Sequence, residues 1–508
     1  MPKFHPVPHG LASYRIVLER ILSHVPRPIA AAILLALLVC SPARAGVGVI
    51  LNETLDESVA RITGSGHTAV YFSHICAESP IKLRLCRPGE EGSVMSNYLN
   101  LGEDQPYEWN IIPLSMYVYG VEDPRHRPLL GLGKVKTAIE ERYRENYLAG
   151  YCVTESCKTS DKAEWRIMAG AELIRSMYIF LVETTVQQDL EIIAKFNAAP
   201  NENHFNGATR NCADFTKAVV DEYFPHSAHR DWLNDFGMTS PKAVARSFSH
   251  YAQSHPEMEF RVLHFSQLPG TIKRSTEAHS GTEQLYHSKK LLIPMIIFAD
   301  HELPVVAATY LLTGRFNPEH EFEAHSTATD IQTEHQIPLA DDDKDGAFAE
   351  QPEAVEVHDR QLIVGTPQEW KEFCAELDAM IDEAVREEII PDRGYLKHLF
   401  KHLDEVGKVS ISANGSIWLD VPNANETSRV GLSASNILSP GSDPHLAYEI
   451  LLERTDRVLK SSKHSRETML EFKEDWAFLQ AARSKSAPSV ASAEAQGALG
   501  RSAVAPAQ

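Results

Sequence analysis

Basic side chains are the scarce charge in this sequence: 49 Lys and Arg stand against 69 Asp and Glu, a formal net charge of -20 over 508 residues. Phosphates are gripped by clustered Lys and Arg, so this balance excludes electrostatic binding to nucleic acid or to an anionic membrane. Tandem repeats are missing as well, which excludes solenoid and propeller architectures. Uninterrupted apolar runs of the roughly 20 residues needed to cross a membrane are also lacking. The most apolar stretch, LLIPMIIFADHELPVVAATYLLTG from Leu291 to Gly314, carries Asp300, His301 and Glu302 at its centre and Pro294 and Pro304 within it. Those residues are costly in a bilayer, and a buried strand followed by a buried helix is expected there. Metal motifs fail on spacing. The cysteines lack the C-x2-C form of zinc ribbons, and His320 and His325, with Glu321 and Glu323 between them, miss the HExxH spacing. Asp341, Asp343, Asp345 and Gly346 open an EF-hand-like loop that reaches Pro352 where a bidentate Glu belongs. No metal and no cofactor are expected.

What is present begins with an export signal. Arg15, Arg20 and Arg27 lead into the apolar run Ile29 to Val39, and Ala43-Arg44-Ala45 precedes Gly46, so residues 1–45 read as a signal peptide cleaved after Ala45. Leu37, Leu38 and Val39 are too bulky before Cys40 for a lipobox, and an uncleaved signal anchor is the alternative. The expected location is the periplasm or cell envelope, with no membrane span once the signal is removed. In that oxidising setting Cys76 with Cys86, and Cys152 with Cys157, are expected to pair as disulfides, a four-cysteine zinc site being the rival reading. Cys374 falls beside Trp370, Phe373, Leu377 and Ile381 on the apolar face of a helix and reads as a buried, inert thiol. Cys212 is then the thiol without a structural task.

Hydrophobic periodicity divides the rest of the chain. Residues 46–250 mix strands, at His67–Phe72, Ile81–Cys86, Glu108–Gly120 and Ser176–Thr185, with helices near 134–151, at Ala163–Arg175, through VQQDLEIIAKFN and from Asn211 onward. The expectation is an α+β fold, an antiparallel sheet packed on helices. An apolar extension follows over 251–317, then an acidic stretch over 318–364 whose composition reads as a flexible linker. Residues 365–482 form a mainly helical region, opened by the capping box Thr366-Pro367-Gln368-Glu369 and containing a hairpin at Asn414-Gly415 of the two-residue type I′ kind. The Ala, Ser, Gly and Pro-rich residues 483–508 read as a disordered tail.

One constellation carries chemistry. In HFNGATRNCADFTKAVV, from His204 to Val220, Cys212 stands where a polar loop becomes a helix, with Thr209 or Asn211 as its cap. A helix N-terminus and an imidazole partner both favour the thiolate, and the backbone N–H groups around Cys212 suit an oxyanion. Among the histidines, His67 in TGSGHTAVYF lies at the mouth of a strand, with two glycines allowing close approach; His74, His204 and His226 are less suitable.

GHTAVYF followed by NCADFTKAVV resembles the circularly permuted branch of the papain-like NlpC/P60 superfamily, which includes lecithin:retinol-acyltransferase-like proteins. The resemblance covers residues 46 to 250. It implies a papain-like sheet, a nucleophile at Cys212, a general base at His67, and cleavage or transfer of acyl groups at amide or ester bonds, cell-wall peptides among the substrates. The family's third polar residue would fall near IKLRLC, where Lys82 and Arg84 do not suit the task, leaving Glu78 and Asn110 as candidates to orient the imidazole. The competing expectation is a catalytically inactive exported papain-like protein that serves as an envelope binding or structural module.

Overall fold

The computed structural model describes residues 45–55, 65–97, 107–159, 164–202, 206, 210–287, 310, 315–326, 367–423, 426–461 and 466–486. Its strands are β1 (Ala45–Asn52), β2 (His67–Phe72), β3 (Ile75–Ser79), β4 (Lys82–Leu85), β5 (Ser93–Ser96), β6 (Asn110–Pro113), β7 (Met177–Thr184), β8 (Arg261–Phe265), β9 (Lys408–Ile411), β10 (Ile417–Pro422) and β11 (Thr427–Gly431). Six of them form the central sheet in the order β6-β5-β2-β1-β7-β8, in which β6–β5, β5–β2, β2–β1 and β7–β8 run antiparallel. β3 and β4 make a separate hairpin, and β11-β10-β9 a small sheet. The α+β class follows once the helices are added.

Successive side chains on a strand point to opposite faces, and this alternation sorts the sheet into two layers. Ile50, Ala69, Tyr71, Val94 and Ile112 face one apolar layer, with α1 (Leu114–Tyr119) and α2 (Gly133–Tyr147). Val49, Leu51, Val70, Phe72, Met95 and Ile111 face the other. Helices α4 (Val186–Ala198), α5 (Cys212–Tyr223) and α6 (Pro241–Gln253) cover that second face, after the short α3 (Glu155–Thr159). Short helices α7 (Gly281–His287) and α8 (Pro318–His325) follow; Phe322 of α8 is buried against β8, its ring 5.6 Å from that of His264. The sheet thus takes a strand, and a helix packed on it, from the segments read as extension and linker.

The C-terminal helices α9 (Pro367–Arg386), α10 (Arg393–Val406), α11 (Pro444–Ser461) and α12 (Arg466–Ser486) join the first layer. Asp404 of α10 accepts from the backbone N–H groups of Gly133 (3.0 Å) and Lys134 (2.9 Å), capping α2 from far along the chain. Arg454 of α11 pairs with Asp475 of α12 at 2.8 Å, both buried, and donates to the Leu129 carbonyl.

Four local expectations change. Glu108–Gly120 is strand only through Pro113; Leu114–Tyr119 is helical and ends on Gly120 at φ 77, its β-favouring residues overridden by burial of Ser115 to Tyr119. The segment expected as a helix to Arg175 is two 3-10 turns, Glu164–Ile167 and Ala171–Leu173, separated by Gly170 at φ 66. The Asn414-Gly415 hairpin exists, but Ser412 pairs with Ser416, so three residues turn the chain, with Gly415 at φ 95 as in a bulged turn. Cys374 is exposed, at the margin of the stripe that buries Trp370, Leu377 and Ile381. In addition α12 runs on through Arg483 to Ser486. Residues 1–44 of the signal read over 1–45, most of Leu291–Gly314, the EF-hand-like loop and the remaining linker and tail lie outside the described residues.

Candidate functional site

Cys212 is the first residue of α5 and half-buried. Asn211 is the cap: extended in backbone, it accepts on Oδ1 from the N–H groups of Ala213 (2.8 Å) and Asp214 (2.9 Å). Asp214 returns the bond to the Asn211 N–H at 3.3 Å, completing a capping box. Two of the first-turn amides expected to serve an oxyanion are therefore committed to the cap. A second set of bonds braces this turn: Asn211 Nδ2 donates to the Thr239 carbonyl (2.9 Å), and Asp214 accepts from Arg230 (2.9 Å) and from the Thr239 hydroxyl.

The direction of α5 follows from its far end, where the Tyr223 ring lies 6.2 Å from Phe72, the last residue of β2. Helix and strand run the same way, so Cys212 and His67 share one rim of the sheet. They do so from different faces. His67 pairs with Asn52 and has the parity of Ala69 and Tyr71, whereas α5 packs on Val70 and Phe72. Asn52 itself bonds the Tyr117 hydroxyl at 2.9 Å within the first layer. Burial, and then the Arg175 guanidinium, hold the His67 imidazole well below the ordinary histidine range, so it rests neutral.

Neither candidate orienting residue is bonded to His67. Asn110 is buried and donates from Nδ2 to Met168 Sδ at 3.1 Å. Glu78 forms a surface ion pair with Lys82 at 3.0 Å on the β3–β4 hairpin. His74 and His226 lie beyond the opposite end of α5, roughly 16 Å from Cys212 at 1.5 Å per helical residue.

Sequence reasoning passed over His279. Its neighbour Ala278 packs in the α5-side layer and lies against Gly66, where a Cβ would approach Ala278 Cβ to 2.9 Å. Two residues on, the Gly281 N–H donates to Asp235 Oδ1 at 2.8 Å, and Asp235 in turn accepts from Ser240 at 2.6 Å, next to Thr239. His279 thus lies at the rim that holds Cys212, a placement created by the folding of the 266–281 segment and invisible in local sequence.

Both expected disulfides form, Cys76–Cys86 and Cys152–Cys157. The one metal-like cluster among the described residues is Cys76, Cys86 and Glu90, whose sulfurs are bonded to each other and whose carboxylate pairs with Arg84. No helix among the described residues is long and apolar enough to cross a membrane. The two disulfides are compatible with export. Comparison with protein-family models, with curated proteins and with solved structures finds no match.

Proposed function

We propose that the chain is an exported thiol enzyme that cleaves or transfers acyl groups at amide or ester bonds, with Cys212 as nucleophile and His67 as general base. The observation that carries the reading is the shared rim: a half-buried thiol at the capped start of α5, at the end of β2 where His67 begins the strand. A neutral resting imidazole is the form a general base requires. In the attack, the thiol proton passes to the imidazole, sulfur bonds to the acyl carbon, and the amine or alkoxide leaves with that proton. Water or a second acceptor then releases the acyl group.

Because His67 rests on the Arg175 side, the reading requires its ring to turn across the strand end when substrate binds. The same observation favours the second reading, a module of papain-like ancestry that binds an envelope partner without catalysis. Alkylation of Cys212 against pH, in a Cys374→Ser background, separates the two. Labelling near neutral pH that is faster than that of an ordinary thiol and slows in His67→Ala supports the enzyme with its stated base, and slowing in His279→Ala alone moves the base to His279. Slow labelling, equal in all three proteins, would sink catalysis.

A further inference from the structure

The segment between α5 and α6 carries three large apolar side chains in water: Trp232, Leu233 and Phe236 are 69, 62 and 49 % exposed. A floppy loop has no need to hold such groups outward; this one is built to. Asp231 accepts from the N–H groups of Leu233 (3.2 Å) and Asn234 (3.0 Å) and is clamped by Arg246 at 2.5 Å. The Gly237 N–H closes the turn on the Trp232 carbonyl at 3.1 Å, and the Thr282 N–H reaches the Asn234 carbonyl at 2.7 Å. Phe236 has φ 52, a left-handed conformation that bulky residues rarely adopt and that surrounding structure must enforce. Enforced backbone strain and exposed aromatic area are two costs at one place, and folding stability explains neither.

The charges around the tip narrow the occupant. The only acids from His226 to Ser240 are Asp231 and Asp235. The first is paired with Arg246, and the second is 1 % exposed and bonded to Ser240 and Gly281. His229 is exposed in the same segment, and the Arg230 guanidinium lies 5.5 Å over the Trp232 ring. In a chain of net charge -20, neither acid of this segment is left unpaired. Trp232, the most exposed of the three, with Leu233 and Phe236 on the same turn, suits the boundary between headgroups and acyl chains.

We propose that the Trp232–Phe236 turn is a docking surface for a phospholipid bilayer, inserting its three apolar side chains into the interface while the protein remains outside the membrane. Insertion is driven by apolar area, so zwitterionic lipid suffices and the overall negative charge of the chain is no obstacle. The inference does not depend on catalysis at Cys212.

The test uses the full chain and phosphatidylcholine vesicles, with two readouts. Because the apolar run Ile29 to Val39 also partitions into lipid, the first readout is local: bromine-labelled acyl chains quench the fluorescence difference between wild type and Trp232→Phe. The second is co-sedimentation. Each inserted side chain favours partitioning roughly fivefold, so Trp232→Ala, Leu233→Ala and Phe236→Ala together lower the partition coefficient roughly a hundredfold. Leu233→Glu, a substitution at an exposed position that leaves the turn's hydrogen bonds in place, lowers it as well. Equal co-sedimentation of wild type and variants, or a Trp232 signal that bromolipid leaves unquenched, overturns the proposal. So does a wild-type dimer that the triple variant dissolves, which would assign the surface to a second copy of the chain.

Discussion

Replacing His67 by Gln tests where its imidazole rests, and the sign of the effect carries the answer. In the folded protein, burial and the Arg175 cation hold the His67 pKa below its unfolded value of about 6.5. The native state then binds fewer protons than the unfolded chain as pH falls below that value, so protonation stabilises the unfolded state and stability declines. The limiting slope is about 1.4 kcal/mol per pH unit, and at about pH 5.5 the wild type should have lost about 1.4 kcal/mol that His67→Gln retains. Asp189 and Asp235, both raised to about 6, titrate in the same window, and subtracting the variant's curve removes their contribution. The assay is urea unfolding of both proteins at several pH values between 5.5 and about 8, read as the difference in unfolding free energy. An imidazolium held by a Cys212 thiolate would have a raised pKa, with its contribution full below pH 6.5 and lost as pH rises. A wild type that loses stability relative to the variant on the alkaline side would therefore refute the placement of His67 beside Arg175.

Two other substitutions have signs that follow directly from the structure. Asp189, 1 % exposed and accepting from the Tyr223 hydroxyl at 2.8 Å, has its pKa raised to about 6 chiefly by burial. Its proton is favoured in the folded state, so stability falls as pH rises from about 4 to about 6; Asp189→Asn should stabilise the protein by up to about 3 kcal/mol at pH 7 and by little below pH 4, by thermal or urea unfolding. Asp404→Ala removes the acceptor for Gly133, Lys134 and the Thr271 hydroxyl, and should cost about 1–2 kcal/mol, while Asp404→Asn keeps most of it.

Much of the fold is legible because local signals and burial agree. HTAVYF is β2, MYIFLVET is β7, and Asn211-Cys212 opens α5 with the polar cap its residue types favour. Where burial is all-round, periodicity loses its meaning: LSMYVY is rich in strand-forming residues, yet as a short helix sealed within the first layer it has no exposed side to reveal its period. Cys374 illustrates a different limit. It lies only 40° around the helix from Trp370, a step too small for a sequence to place on the wet or dry side of a margin. The site shows the same boundary. Strand alternation tells from sequence alone that His67 shares a face with Ala69 and Tyr71. Which face receives α5 is decided by the packing of Phe215, Val219 and Tyr223, and no residue near His67 encodes that. His279 was hidden for the same reason, its rim position depending on bonds to Asp235 made after the chain has crossed the sheet.

The two sides of the rim depend on different parts of the chain, and this gives a way to move one without the other. Cys212 is set by the Asn211 cap, Arg230 and Thr239, all on the α5 side. His67 looks into the layer that the C-terminal helices close, where Arg454 links α11 to Asp475 and to the Leu129 carbonyl. The pair is buried, with side chains 4 and 1 % exposed, so Asp475→Asn leaves a guanidinium without its counter-charge and should cost about 3–5 kcal/mol. If the layers are coupled through the sheet, His67 should feel this change before Cys212 does. The expected result is a shifted imidazole resonance for His67 in histidine-labelled protein, with the alkylation rate of Cys212 within twofold of wild type. A Cys212 rate that falls in step with the global loss of stability would mean that labelling reports unfolding, and the separation of the two faces would then be wrong.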